Sequence, residues 1–204
     1  MTGLIARLLA PGLSGAEIWD EGQALALHPE EEIHVARAAG RRRRDFALGR
    51  ACAHAALADL AHGDAVIVKG EDGAPLWPPG ITGSITHTEG YAAALVGESR
   101  GFAGIGIDAE RAGRVDRDLW PRLFSPAERE QIEDHSDPLL AATLFFSAKE
   151  ASYKAWMVKG ALVFHDIAIV LEDDGFAATR AQAHLKGYHV ADKGVVLVAA
   201  WIPR

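Results

Sequence analysis

Two stretches interrupt the hydrophobic pattern of this chain by setting charge among apolar residues. Phe145-Phe146-Ser147-Ala148-Lys149-Glu150-Ala151-Ser152-Tyr153-Lys154-Ala155-Trp156 is apolar at helical spacing, which predicts a buried helix, yet it carries Lys149, Glu150 and Lys154. Gly104-Ile105-Gly106-Ile107-Asp108-Ala109-Glu110 predicts a strand that ends in two acids. Strand alternation places Gly104, Gly106, Asp108 and Glu110 on one face and Ile105, Ile107 and Ala109 on the other. The isoleucine face packs into the core, and the bare glycine face predicts room for a bulky ligand beside the carboxylates. A carboxylate among aromatics is costly unless something pairs with it.

The remaining elements follow from local signals. Ala16 to Trp19 predicts a first strand. Pro29 followed by Glu30, Glu31 and Glu32 predicts a helix start, with Gly40 ending or interrupting it. Phe46, Leu48, Ala51, Ala53, Ala55, Ala56 and Leu57 predict an alanine-rich helix running to His62-Gly63. Ala65 to Lys69 predicts a short strand leading into the loop Gly70 to Pro75, and Tyr91 to Val96 predicts another strand. Ser125, Pro126 and Glu128 make a capping-box helix start behind the apolar cluster Leu119, Trp120, Leu123 and Phe124. Phe164 to Leu171, Ala181 to Val190 and Val195 to Trp201 predict sheet strands joined by turns at Asp173-Asp174-Gly175 and Asp192-Lys193-Gly194. The run Gly90 to Val96 is echoed in Gly194 to Ala200, and Arg50 and Glu150 lie on helices one hundred positions apart.

Composition narrows the class. The 204 residues are 49% apolar and 24% charged, which suits one sizeable core or two small lobes. No segment approaches the roughly 20 apolar residues of a membrane span, so a soluble, cytoplasmic protein is expected. The single cysteine, Cys52, excludes an internal disulfide and a cysteine-based zinc cage. A net charge of -7 argues against general nucleic-acid binding and makes Arg41-Arg42-Arg43-Arg44 a local feature.

That patch has two readings: a solvated basic turn, or an anion site in which free helix N–H groups and guanidinium forks face one ligand. Lys69 with its glycine and proline loop, and Ser84, Thr86 and His87 at a strand end, add donors suited to phosphate oxygens. A lone histidine such as His87 is more often structural. Glu150 and Lys154, four apart, would be an ordinary surface ion pair on an exposed helix, but the surrounding aromatics argue for burial. Three carboxylates without a Cys or His cluster favour a hard cation. Mg²⁺ takes few protein oxygens and completes its shell with phosphate and water, which points to phosphoryl or phosphodiester chemistry.

Gly106 to Glu110 and Phe146 to Lys154 resemble the two signature motifs of the 4'-phosphopantetheinyl transferases, in the long single-chain form that activates siderophore, polyketide and nonribosomal peptide synthases. The resemblance extends back through Arg43-Arg44-Asp45-Phe46 with Arg50, the loop from Lys69-Gly70 to Pro75, and Gly83 to His87, and covers roughly residues 40 to 160. It implies transfer of 4'-phosphopantetheine from coenzyme A to a serine of an apo acyl- or peptidyl-carrier protein, with release of adenosine 3',5'-bisphosphate. It implies Mg²⁺, with Mn²⁺ an alternative, at Asp108, Glu110 and Glu150. It further implies that Glu150, directly or through a metal-bound water, accepts the serine proton, that Lys154 stabilises or protonates the departing bisphosphate oxygen and that Lys149 contacts the diphosphate. Arg42 or Arg43, Arg50 and His87 bind the 3'-phosphate and nearby phosphates, with Ser84 and Thr86 as donors. Lys69, Gly73 and Pro75 line the nucleotide pocket.

The resemblance also implies an α/β (α+β) fold: a pseudo-twofold pair of similar lobes, each a small mainly antiparallel sheet with a long helix, in a monomer. Residues 1–102 form the nucleotide side and 103–204 carry the metal and catalytic motifs. Leu119 with Arg114, Arg117 and Arg122 would face an acidic carrier helix. Two other readings are a non-catalytic coenzyme A-binding module and a Mg²⁺-dependent phosphodiesterase acting on similar substrates.

Overall fold

In the computed structural model, which describes residues 3–157 and 163–204, the chain forms four layers: helix, sheet, sheet, helix. Residues 158–160, the end of the stretch that resembles the transferase motifs, lie outside the described residues. The first sheet contains β1 (Leu13–Trp19), β2 (Ile81–Thr88) and β3 (Tyr91–Glu98) in the order β1-β3-β2. The second contains β4 (Phe102–Arg111), β5 (Ala168–Leu171), β6 (Gly175–Arg180), β7 (Ala183–Asp192) and β8 (Val195–Pro203) in the order β4-β8-β7-β6-β5. Every pairing is antiparallel. The α+β class and its two sheet-and-helix lobes are therefore present.

Sheet alternation explains the layering. On β3, Ala92, Ala94 and Val96 pack under α2 (Gly40–Ala58), against Leu48, Cys52 and Leu57. Tyr91, Ala93 and Leu95 face the other way, meeting Ile105, Ile107 and Ala109 of β4 and Leu197 and Ala199 of β8. The opposite face of β8, Val196, Val198 and Ala200, packs under α5 (Pro138–Ala155). β3 and β8 are thus buried on both faces, which is why each reads as an unbroken apolar run where alternation would otherwise appear. This is the physical content of the echo between Gly90 to Val96 and Gly194 to Ala200.

Several expectations change. The helix at Pro29 is a single turn, α1 (Pro29–Glu32), continued by a 3-10 turn at Ile33–Val35. Gly40 opens α2 rather than ending the preceding helix: Ala39 is extended at the N-cap, and α2 stops at Ala58, short of His62. Ala65 to Lys69 forms no strand. The Glu31 carboxylate takes the Ile67 N–H and Arg50 donates to the Ile67 carbonyl, so side chains replace a ladder, leaving one bridge between Lys69 and Pro75. β6 was not expected, and β5 is shorter than predicted, preceded by a 3-10 turn at Phe164–Asp166. The turn between β7 and β8 holds Lys193 at φ 50° and Gly194 at φ 73°, as a two-residue hairpin turn requires.

Before α5 come two short helices, α3 (Trp120–Leu123) and α4 (Pro126–Asp134), the latter with the expected capping box: Ser125 N donates to Glu128 Oε2 at 2.8 Å and Glu128 N to Ser125 Oγ at 3.3 Å. Trp120 and Phe124 are buried in the core under α5, while Leu119 is 43% exposed. The apolar cluster therefore packs its own core, apart from Leu119.

Candidate active site

The site lies where α2, β2, β4 and α5 converge. Helical spacing resolves the arginine run. Arg42, Asp45, Phe46, Gly49 and Arg50 share one face of α2, at i, i+3, i+4, i+7 and i+8, and line a cleft of about 440 Å³. Lys69, Gly73, Pro75, Ile85, His34 and His87 complete it. Arg43 lies off that face and pairs with Glu32; Arg44 is held by Asp20 and the Gln23 carbonyl. Of the two arginines left open by sequence, Arg42 lines the cleft and Arg43 is engaged elsewhere.

Arg50 is buried. Its Nε donates to the Ile67 carbonyl at 2.8 Å and its guanidinium lies 4.3 Å from the centre of the Phe46 ring. Burial lowers its pKa, and the nearby Glu31 charge opposes that shift. His87 is exposed at the cleft. Gly73, at φ 87°, lies against the Lys69 side chain, so its missing Cβ lets the loop fold over that lysine.

A second cavity of about 420 Å³ shares Gly73, Pro75 and Ile85 with the first. It continues along Trp77, Ser84 and Ile105 to Tyr153, Lys154 and Met157. The groove therefore runs from the basic face of α2 to the C-terminal end of α5.

At its far end Lys154 Nζ donates to Asp108 Oδ1 at 2.8 Å and to the Ile107 carbonyl at 3.0 Å. Asp108 is 6% exposed, and its Oδ2 is buried without a partner among the described residues. Glu110 has its carboxyl pushed up, first by burial and then by the Asp108 charge. Arg114, 3.4 Å away, and Lys154 oppose that rise. Burial also pushes Glu150 up, with Lys154 opposing and Asp108 reinforcing. The three acids thus feel one another across the β4–α5 seam.

Among the described residues, no three acids, histidines or cysteines stand close enough as they are to hold a metal ion. The chemistry of the donor set nonetheless fits a hard divalent cation. All three groups offer carboxylate oxygens, one buried oxygen lacks a partner among the described residues, and two carboxyls are raised by burial first and by neighbouring negative charge second, which added positive charge would oppose.

The structure corrects three further expectations. The glycine face of β4 offers no room for a ligand: a Cβ on Gly106 would overlap the Ala151 carbonyl, and one on Gly104 the Ala155 carbonyl. Those glycines instead let α5 approach the strand closely, which carries Glu150 and Lys154 to Asp108 and Glu110. Lys149 is fully buried on another face of α5, where Nζ donates to Glu128 Oε2 at 2.9 Å and to the Phe164 carbonyl at 2.7 Å. It has no path to a diphosphate in the groove. Thr86 is also buried, and its Oγ1 accepts from Ala109 N at 2.9 Å, pinning the peptide between Asp108 and Glu110. Sequence reading had not placed His34, Asp45 or Trp77 at the site; following the Arg42 face in helical steps would have found Asp45.

Fold and site together define an α+β protein whose basic cleft continues to Lys154, which pairs with buried Asp108 near the partly buried Glu110 and Glu150. The 4'-phosphopantetheinyl transferase N-terminal domain matches residues 30–97, and the 4'-phosphopantetheinyl transferase superfamily matches residues 104–198. The 4'-phosphopantetheinyl transferase Npt of Nocardia iowensis is 41% identical over 177 residues, covering 85% of this chain and 80% of that protein. The 4'-phosphopantetheinyl transferase PptT of Mycobacterium tuberculosis is 38% identical over 165 residues, covering 79% and 73%. Enterobactin synthase component D of Escherichia coli K12 is 36% identical over 134 residues, covering 65% and 64%. Among solved structures, Thermotoga maritima holo-[acyl-carrier-protein] synthase aligns with a TM-score of 0.44 at 14% identity, over 50% of this chain and 63% of that one. The chain belongs to the 4'-phosphopantetheinyl transferase superfamily and is a transferase. A non-catalytic binding module is thereby set aside.

Proposed function

We propose that this transferase moves 4'-phosphopantetheine from coenzyme A to a serine of an apo acyl- or peptidyl-carrier protein and releases adenosine 3',5'-bisphosphate. The observation that carries this reading is the continuous groove: Gly73, Pro75 and Ile85 belong both to the cleft lined by Arg42, Arg50, Lys69 and His87 and to the cavity ending at Lys154. A ligand with phosphates at two separated positions fits such a groove, one group against the arginines and a diphosphate near the acids.

In this reading Arg42, Arg50 and His87 hold the 3'-phosphate side. Lys69 with the Gly73 to Pro75 loop borders the nucleotide, and Ser84 donates along the groove. Asp108, Glu110 and Glu150 would hold Mg²⁺, with Mn²⁺ able to replace it. When bound, that cation neutralises the diphosphate and polarises the phosphorus under attack.

Glu150 accepts the proton of the carrier serine as its oxygen bonds to the pantetheine-bearing phosphorus. Burial raises the carboxyl of Glu150, making it a stronger base than an exposed glutamate. The bond from that phosphorus to the bridging oxygen breaks, and the oxygen leaves with the bisphosphate. Lys154, already among the acids, donates to it.

Residues 1–102 supply the nucleotide side and 103–204 the acids, so one chain suffices as a monomer. We assign the reaction to the cytoplasm; among the described residues no helix is long and apolar enough to cross a membrane. Exposed Leu119, near Arg114 and Arg122 in sequence, is the proposed contact for the carrier helix.

The test is intact-mass measurement of purified apo carrier proteins incubated with the enzyme, coenzyme A and Mg²⁺. The expected result is a gain of one phosphopantetheine on the carrier serine, lost with chelator, Asp108→Ala or Glu150→Gln. Coenzyme A cleavage without carrier modification would instead favour the phosphodiesterase reading. Carriers drawn from siderophore, polyketide and nonribosomal peptide synthases would rank the partners.

A further inference from the structure

Asp45 is an acid in a cleft whose other charged side chains are the cations Arg42, Arg50 and Lys69. It shares the cleft-facing stripe of α2 with Arg42, Phe46 and Arg50, and Lys69 and His87 lie on the other walls. A carboxylate there repels the phosphates that such a cleft collects, so its presence calls for a compensating interaction. None comes from the protein. Arg42, three residues away on the same face, is the obvious partner, yet among the described residues neither the Arg42 nor the Asp45 side chain makes a hydrogen bond or ion pair. Arg43 and Arg44 are committed to Glu32 and Asp20, and Arg50 to the Ile67 carbonyl.

The face therefore presents an unpaired cation and an unpaired acceptor side by side, with the apolar surfaces of Phe46, Val35 and Pro75 lining the same cleft. The complementary ligand has an anionic group, a flat aromatic body and an outward N–H donor. An amino-purine nucleotide has all three. A ribose hydroxyl is also a donor, but the apolar walls around Asp45 suit a base edge better than a sugar.

We propose that Asp45 sets base specificity by accepting a hydrogen bond from the exocyclic amine of the donor nucleotide's purine; this rests on the coenzyme A reading above. The carboxylate is half-buried, so its bond to that amine is partly shielded from water. A site that commits a charged acceptor to a substrate N–H rejects the analogue lacking that group, because the acceptor is then left facing a carbon.

The test is isothermal titration calorimetry of adenosine 3',5'-bisphosphate and its 6-desamino purine analogue against the wild type, Asp45→Asn and Asp45→Ala. Circular dichroism confirms that each variant is folded. The wild type is expected to bind the amino compound about tenfold more tightly than the desamino compound. Asp45→Ala should bind the two equally, and Asp45→Asn, which keeps a neutral acceptor, should retain part of the preference. A wild-type preference that persists unchanged in Asp45→Ala would overturn the proposal, as would equal tightening of both ligands, which marks Asp45 as a repulsive charge only. If the wild type binds neither compound, the coenzyme A reading itself fails and takes this inference with it.

Discussion

Glu31 and Glu128 hold matching positions in the two lobes. Each is the third residue of a short helix that begins with proline, Pro29 in α1 and Pro126 in α4, and each is buried ahead of its lobe's long helix. One oxygen of each accepts the N–H of an isoleucine beyond that helix, Ile67 at 3.0 Å and Ile169 at 2.9 Å. The long helix then supplies a side-chain partner, the His54 ring to Glu31 at 2.8 Å and the Lys149 ammonium to Glu128 at 2.9 Å. In both lobes, one buried carboxylate ties the helix start, the long helix and the chain that follows it.

This arrangement makes Lys149 a structural residue, and its removal is expected to be severe. Lys149→Met would leave the Glu128 carboxylate buried without its cation and the Phe164 carbonyl with only the longer bond from Ile167 N. Breaking a buried pair from one side costs about 3–5 kcal/mol. Urea denaturation should show a loss of that size. A variant of normal stability whose only defect is weak coenzyme A binding would return Lys149 to the ligand.

Arg42 and Arg43 provide the sharpest contrast within one tetrapeptide. Loss of a charge-assisted hydrogen bond to phosphate is worth about 1.5–3 kcal/mol. Arg42→Ala should therefore raise the KM for coenzyme A roughly tenfold or more. Arg43→Ala removes only a largely exposed pair with Glu32 and should leave KM within about a factor of two. Equal effects would mean that the α2 face has been misassigned.

How much of this was legible in the sequence depends on whether a signal was local. Helix starts at Pro29 and Pro126, the apolar runs of β3 and β8, and the acids after Ile107 carry local signals, and the structure bears out the elements they predict. The meaning of Gly104 and Gly106 was not local. A bare strand face suits a bulky ligand and a close helix equally well, and only the position of α5 decides between them. Ala65 to Lys69 has strand composition, but Glu31 and Arg50 occupy the backbone of Ile67 from distant parts of the chain. Lys149 and Glu150 are adjacent in sequence, yet a helix turns successive side chains roughly 100° apart, so one faces Glu128 and the other the acids.

The close approach of α5 to β4 leads to a direct test. Gly106→Ala places a methyl group against the Ala151 carbonyl, which is backbone in mid-helix and cannot move without shifting α5. Overpacking of this kind costs about 1–3 kcal/mol and sometimes more. We expect a lower Tm together with loss of transfer, because Glu150 and Lys154 ride on the displaced helix. A stable, fully active Gly106→Ala enzyme would contradict the packing.

Cys52 is expected to be inert. It is fully buried under β3, and burial pushes its thiol up to about 12, against an ordinary value near 8.5. The folded thiol stays protonated as pH rises through the range in which an unfolded cysteine ionises, so high pH favours the unfolded state at this residue. Labelling by a thiol-specific disulfide reagent at pH 8 should occur only at the rate of opening and should become rapid in denaturant. Rapid labelling of the native protein would place Cys52 at an accessible surface.

The ion pair between Lys154 and Asp108 joins the catalytic role proposed for Lys154 to the stability of the protein without a cation. Asp108 Oδ2 already lacks a partner among the described residues, and Lys154 donates to Oδ1. On the proposed reaction, Lys154→Ala should reduce kcat by about a hundredfold or more while changing the KM for coenzyme A much less, because in that reading its donor acts on charge that develops as the bisphosphate leaves. The same substitution leaves a buried carboxylate unsatisfied, which costs about 1–3 kcal/mol in the metal-free protein. A cation bound at the acids restores that lost attraction, so saturating Mg²⁺ should raise the Tm of Lys154→Ala by more than it raises that of the wild type. Scanning calorimetry with and without Mg²⁺ separates the effects: an equal shift in both proteins would mean that Lys154 and the metal act independently at Asp108.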